Sequence, residues 1–157
     1  MPELADPPAR TPRQRWMAVL ARASHLDMQS VLRLAASSEL PAYDVLRGPE
    51  CGLVMVRGRA GGGGGAFNLG EMSVTRCTVR DADGRIGHAY VSGRDRAQAE
   101  LAARLDALLQ DPAWHAALDR DVIAPLAQAQ AARRAVDARR AAATRVEFFT
   151  LATMRSA

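Results

Sequence analysis

The spacing of apolar residues switches twice along this chain, and the switch restricts the fold more than any single motif does. From Tyr43 to Ser92 the pattern is that of strands, and on either side it is helical. Four strands are expected, Asp44–Arg47, Gly52–Arg59, Ala66–Arg80 and Arg85–Ser92, separated by Gly-rich and Asp-rich breaks. Gly48-Pro49-Glu50 reads as the turn of a first hairpin. Asp83-Gly84 is the strongest short-range hairpin signal, because both turn positions tolerate positive φ. Strands in meander order imply an antiparallel sheet with a helix-covered face.

The flanks supply the helices. Thr11-Pro12 is an N-cap followed by Pro at the first helical position, and Trp16, Val19, Leu20 and Ala23 then share one face of a helix to Ala23. A second helix is expected with Asp27 as N-cap and Met28, Val31, Leu32 and Ala35 inward, ended by Pro41. After the sheet, Ser92-Gly93-Arg94-Asp95 resembles a capping box before Leu101, Leu105 and Leu108. Asp111-Pro112 restarts the chain. Asp121 or Pro125 then opens a long helix with Val122, Leu126, Ala129, Ala132 and Val136 at helical spacing, and Val146–Leu151 reads as an extended tail. The fold class expected is α+β: N-terminal helices, a central antiparallel β-meander, and C-terminal helices packed on the sheet. With 157 residues this is one domain, 12–151, between a loose arm, 1–11, and a tail, 152–157.

Composition closes off several chemistries. All 21 basic residues are Arg and none is Lys. The chain therefore has no side-chain amine for a Schiff base and no P-loop lysine. No segment approaches the roughly 18 apolar residues of a membrane span. The first residues show neither a basic nor an apolar signal region, so the cytoplasm is the expected compartment. Cys51 and Cys77 form no CxxC pair, and His25, His88 and His115 are far apart, so no metal site is expected. Both thiols read as buried and free. Cys77 and His88 could meet across one hairpin as nucleophile and base, but only proximity recommends it. No pair of carboxylates stands out, and no catalytic residue is assigned.

The run Gly61, Gly62, Gly63, Gly64, Gly65 is either a flexible linker between strands or a mobile loop whose amides approach an anion. Around it, Met55, Arg57 and Arg59 share a face of one strand, and Met72, Val74, Arg76, Thr78 and Arg80 a face of the next. Between residues 57 and 80 these four arginines are opposed only by Glu71, and guanidinium forks suit phosphate. Arg57, Arg59, Arg76 and Arg80 with Gly61–Gly65 are thus candidates for phosphate or nucleotide contact, against the alternative of a solvated or subunit-facing surface. A second cluster, Arg133, Arg134, Arg139, Arg140 and Arg145, is opposed only by Asp137. Nucleic acid is not the expected partner, since aromatics are only 4% and no rings interleave the arginines for base stacking.

Several motifs in order carry a resemblance. They are Arg13–Leu20, Leu46-Arg47 with Glu50, Gly52–Arg59, the Gly loop, Phe67–Met72, and Val74–Cys77 with Val79-Arg80. They continue through Tyr90–Asp95, Asp106–Leu109, Val122–Leu126 and Ala143–Thr150. Together they resemble the PhnG family, the G component of the bacterial phosphonate carbon–phosphorus lyase system. The chain departs from the family in its all-Gly loop and in the ending after Thr150. The resemblance implies one member of a hetero-oligomeric core complex with the H, I and J subunits and a functional link to the ATPase-like L subunit. That system transfers the ribose-triphosphate group of ATP onto a phosphonate and releases adenine. It also implies no cofactor bound by this chain alone, with ATP and a phosphonate as substrates of the complex. Arg145, Phe148 and Phe149 are the expected partner contacts, aromatic residues being favoured interface anchors. An Arg-rich nucleic-acid-binding module and a pure assembly scaffold stand as alternatives.

Overall fold

A computed structural model describes residues 10–35, 40–59 and 64–145. Two short helices, α1 (Pro12–Leu20) and α2 (His25–Leu34), precede strands β1 (Tyr43–Arg59), β2 (Ala66–Asp81) and β3 (Ile86–Ser92). Helices α3 (Arg96–Leu109), α4 (Pro112–Leu118) and α5 (Ala124–Ala143) follow, with a π-helical turn over Asp119–Ile123. The strands form one antiparallel sheet in the order β1-β2-β3. The class is therefore α+β, as the periodicity implied.

Capping chemistry sets most element starts. Thr11 closes a full capping box with Gln14, and Asp111 caps α4 ahead of Pro112. Ser24, rather than Asp27, caps α2: its hydroxyl accepts from the Asp27 amide, so Asp27 lies inside the first turn. Its carboxyl is held below the usual range by Ser24 and Arg133, which together outweigh the cost of burial. The expected Ser92–Asp95 box does not form: Ser92 ends β3, and Asp95 is itself the cap of α3, accepting from the Gln98 amide at 2.9 Å, while Gln98 Nε2 donates to the Ala23 carbonyl at 2.7 Å. The β2–β3 turn forms at Asp83-Gly84, with Gly84 at φ 84°.

Four expected strands are three. Gly48 and Pro49 do not turn the chain; they bulge one continuous β1, where Arg47 pairs with Thr78 and Glu50 with Arg76. Pro49 cannot donate to a ladder, and β1 is an edge strand, where a bulge accommodates it. The last helix also differs. Pro125 lacks the N–H of a regular turn, and the preceding π turn, closed by Ala124 N–H to Asp119 O, widens the backbone to admit it. Val122, Ile123 and Leu126 are buried, but residues 131–143 are exposed throughout, including Ala132 and Val136. The expected apolar stripe thus ends at Gln130, whose amide donates to Val19 O at 2.9 Å. Beyond it the helix leaves the body.

The core lies between α3 and one sheet face. Val79, Val91, Cys77 and Ala89 meet Leu105, Leu109, Ala103 and Ala107, with Leu20, Met28, Leu118 and Val122 closing the other side. Packing is closest at Gly87, where a Cβ would lie 2.0 Å from Ala103 O and 2.7 Å from Ala107 N. Asp106 is fully buried. It accepts from Arg13 Nη2 at 2.7 Å, Trp16 Nε1 at 2.8 Å and the His88 amide at 2.9 Å.

Two substitutions test this packing. Gly87→Ala overfills a backbone contact and is expected to lower stability by about 1–3 kcal/mol or more. Asp106→Ala strands the donors of α1 and β3 and is expected to cost about 3–5 kcal/mol. Urea denaturation of each variant against wild type measures both; a loss below about 0.5 kcal/mol at either site would contradict the packing described.

Candidate partner interface and its arginines

β3 ends at Ser92, opposite Val74, so beyond that point β1 and β2 pair only with each other. Leu53–Arg59 and Ala66–Ser73 make a two-stranded ribbon roughly 20 Å long at about 3.3 Å per residue. It carries Leu53, Val54, Met55, Phe67, Leu69 and Met72, all exposed, Leu69 by 65% and Leu53 by 63%. Leu53 and Met55 lie on one face and Val54 with Met72 on the other. Exposed apolar residues at this density mark an interaction site, and an isolated two-stranded ribbon is marginal in water.

The four loop-flanking arginines do not converge. In β2, Leu69 is an extra residue between Gly70, paired with Val56, and Asn68, paired with Arg57. The bulge lies in β2, so β1 alternates without interruption, and Arg57 and Arg59 share the face of Met55, Leu53 and Cys51. Arg76 and Arg80 lie on the other face with Glu50 and Asp44. There they are paired, Arg76 Nε to Glu50 Oε1 at 2.8 Å and Arg80 Nη2 to Asp44 Oδ2 at 3.0 Å. The charge excess counted between residues 57 and 80 omits these two carboxylates, which β1 brings across from outside that window. Tyr90 and Glu50 also raise the Arg76 guanidinium further above its ordinary value. Among the described residues Arg57 and Arg59 have no ion pair.

Gly64 and Gly65 lead irregularly into β2; Gly61, Gly62 and Gly63 lie outside the described residues, as do Phe148, Phe149 and the rest of the expected tail. Arg145 is exposed just past α5. In the second arginine cluster, Arg133 pairs with Asp27 of α2 at 3.3 Å rather than with Asp137 one turn on. His88 and Tyr90 share an exposed sheet face, with His88 Nδ1 3.3 Å from Thr78 Oγ1.

The two thiols separate. Cys77 is buried on the helix-covered face, opposite Ala89, and burial raises its pKa. His88, one position along β3, faces the other way, so the two cannot act together. Cys51, expected buried, is exposed where the N-terminal end of α3 leaves the edge strand uncovered. Its Sγ lies 3.4 Å from Thr75 Oγ1, and that hydrogen bond, with Arg96 and Arg94 behind it, holds the thiol below its ordinary value. Among the described residues no His, Cys, Asp and Glu cluster could hold a metal ion, and no helix is long and apolar enough to cross a membrane. Maleimide at neutral pH is therefore expected to label Cys51 at least 10-fold faster than Cys77. Mass spectrometry should show one adduct on the native chain and two after denaturation; two equal native rates would contradict the burial.

Comparison with known proteins bears on what this surface meets. Residues 11–154 match the family described as phosphonate metabolism protein PhnG. The chain is also similar to alpha-D-ribose 1-methylphosphonate 5-triphosphate synthase subunit PhnG of Rhizobium meliloti (strain 1021). The two are 44% identical over 141 residues, which cover 88% of this chain and 87% of that relative. With a match over nearly its whole length, this chain belongs to the PhnG family of phosphonate metabolism proteins.

Proposed function

We propose that this chain is a non-autonomous subunit of alpha-D-ribose 1-methylphosphonate 5-triphosphate synthase, acting in organic phosphonate catabolism in the cytoplasm. The observation that carries this reading is the 44% identity to a subunit of that synthase across 88% of the chain. In the complex, a phosphonate oxygen displaces adenine at the anomeric carbon of ATP. The C–N glycosidic bond breaks, a C–O bond forms, and the leaving base takes a proton. The partners are the H, I and J subunits of the carbon–phosphorus lyase core complex, with a functional link to the L subunit.

The role fits what the chain offers. Its described part pairs no nucleophile with a base, and the ribbon of β1 and β2 exposes Leu53, Val54, Met55, Phe67, Leu69 and Met72. That ribbon docks on a partner subunit, with Arg145, Phe148 and Phe149 as further contacts. Arg57 and Arg59, without an ion pair among the described residues, sit at the end of β1 that precedes Gly61–Gly65 in sequence and are available to the triphosphate of ATP. Arg76 and Arg80 join them only by giving up Glu50 and Asp44. No cofactor is bound by this chain alone.

Co-expression with the H, I and J subunits, purification in high salt and an assay of adenine release from ATP with methylphosphonate test both parts. A buried Leu is worth about 1.5–3 kcal/mol, so Leu53→Ser with Leu69→Ser is expected to weaken association about 100-fold or more. Arg57→Ala with Arg59→Ala should leave the complex intact and slow adenine release about 10-fold or more, the loss of charge-assisted phosphate contacts. A wild-type chain that fails to co-purify, and instead binds nucleic acid with a steep salt dependence, would overturn the reading. Full activity of the arginine variant would leave the chain a scaffold.

A further inference from the structure

Away from the ribbon, α2 and α3 line an open cavity of about 480 Å³, within the range of small-molecule sites. Its walls bring together His25 and Arg33 from α2 with Glu100 and Arg104 from α3, over an apolar floor that includes Leu32 and Leu101. Two buried side-chain nitrogens among the described residues lack any hydrogen-bond partner, His25 Nδ1 and Arg104 Nε. Both belong to residues lining this one cavity. Buried polar groups are otherwise almost always satisfied, and an unpaired one points to a missing ligand, ion or water.

The remaining polar groups define the charge such a ligand must carry. The guanidinium of Arg104 lies 4.1 Å above the Tyr43 ring, which fixes its plane, and it makes no ion pair among the described residues. Glu100, the one acidic wall residue among the described residues, is engaged by the Tyr43 hydroxyl, which raises the phenol's pKa. Arg33, exposed in the cavity wall, hydrogen-bonds among the described residues to Gln29, at 3.4 and 3.5 Å. Arg104 Nε–H can only donate, and His25 Nδ1 donates in one tautomer and as imidazolium. Two arginines and a histidine therefore line a space whose one carboxylate among the described residues, Glu100, already accepts from Tyr43, beside an apolar floor.

We propose that this cavity binds a small organic oxyanion, with its charged head on Arg104, His25 and Arg33 and its apolar body on Leu32 and Leu101. Phosphonate and carboxylate heads share that chemistry. The site is formed by this chain alone and does not depend on assembly with other subunits.

The test is calorimetric titration of the full chain with phenylphosphonate, benzoate and inorganic phosphate at constant ionic strength, with the His25 imidazole followed by NMR. Phenylphosphonate or benzoate is expected to bind and shift the His25 resonance, the stronger of the two identifying a tetrahedral or a planar head. Inorganic phosphate, lacking the apolar body, should bind at least 10-fold more weakly. His25→Ala, Arg33→Ala and Arg104→Ala should each raise the dissociation constant at least 10-fold. Arg33 is exposed and His25 opens a helix, so those variants report even if Arg104→Ala does not fold. No binding by either organic anion, equal binding of inorganic phosphate, or affinities that Arg33→Ala and His25→Ala leave unchanged would overturn the proposal. Co-purification with the partner subunits is a separate readout, so failure here leaves the complex assignment standing, and the reverse.

Discussion

The carboxylate of Asp106, fully buried on α3, accepts hydrogen bonds from α1 and β3 at once. An ionised group at that depth is tolerable only because Arg13 neutralises it and because Trp16 and the His88 amide take up its remaining lone pairs. The arrangement fixes three elements. Arg13 also donates to Ile86 O at 3.0 Å, which ties the start of β3 to α1. With β3 so held, Gly87 lets its backbone lie directly on α3 near Ala103 and Ala107. The neighbouring positions, Ala89 and Val91 of β3 and Leu105 and Leu109 of α3, then close the core.

The same constraint leaves part of the sheet uncovered. α3 can cover only the width that β3 completes, and β1 and β2 run well past it. What protrudes is a ribbon with exposed Leu53, Met55, Phe67 and Leu69 on a free edge. The exposed second half of α5 projects in a similar way. Free edges and apolar patches favour association, so a chain that retains both has a surface made for a partner. The compact body and its protruding elements divide the labour: the body holds its shape through Asp106, and the ribbon presents residues to other subunits.

Much of the body was legible in the sequence because it rests on local chemistry. Thr11-Pro12, Asp83-Gly84 and Asp111-Pro112 each satisfy backbone groups within a few residues, and each formed where expected. The misreadings all involve long-range or cross-strand geometry. Gly48-Pro49 carries turn-forming residues, yet pairing with β2 continues on both sides of it and makes a bulge. Ser24 and Asp27 are both competent caps, and only the course of the chain decides between them. The arginine cluster looked unopposed because Asp44 and Glu50 lie outside the sequence window, and the register that pairs Glu50 with Arg76 puts Arg57 and Arg59 on the opposite face. The placing of His25 and Arg104 around one cavity leaves no trace in local spacing, since they come from helices on opposite sides of the sheet sequence.

Hydrogen–deuterium exchange of the chain, alone and within the complex reconstituted with the H, I and J subunits, tests the central claim most directly. The account predicts that amides in Leu53–Arg59 and Ala66–Ser73 exchange at least 10-fold more slowly in the complex, while those around Asp106 are protected equally in both states. Unchanged exchange along the ribbon, with new protection confined to other surfaces, would contradict it.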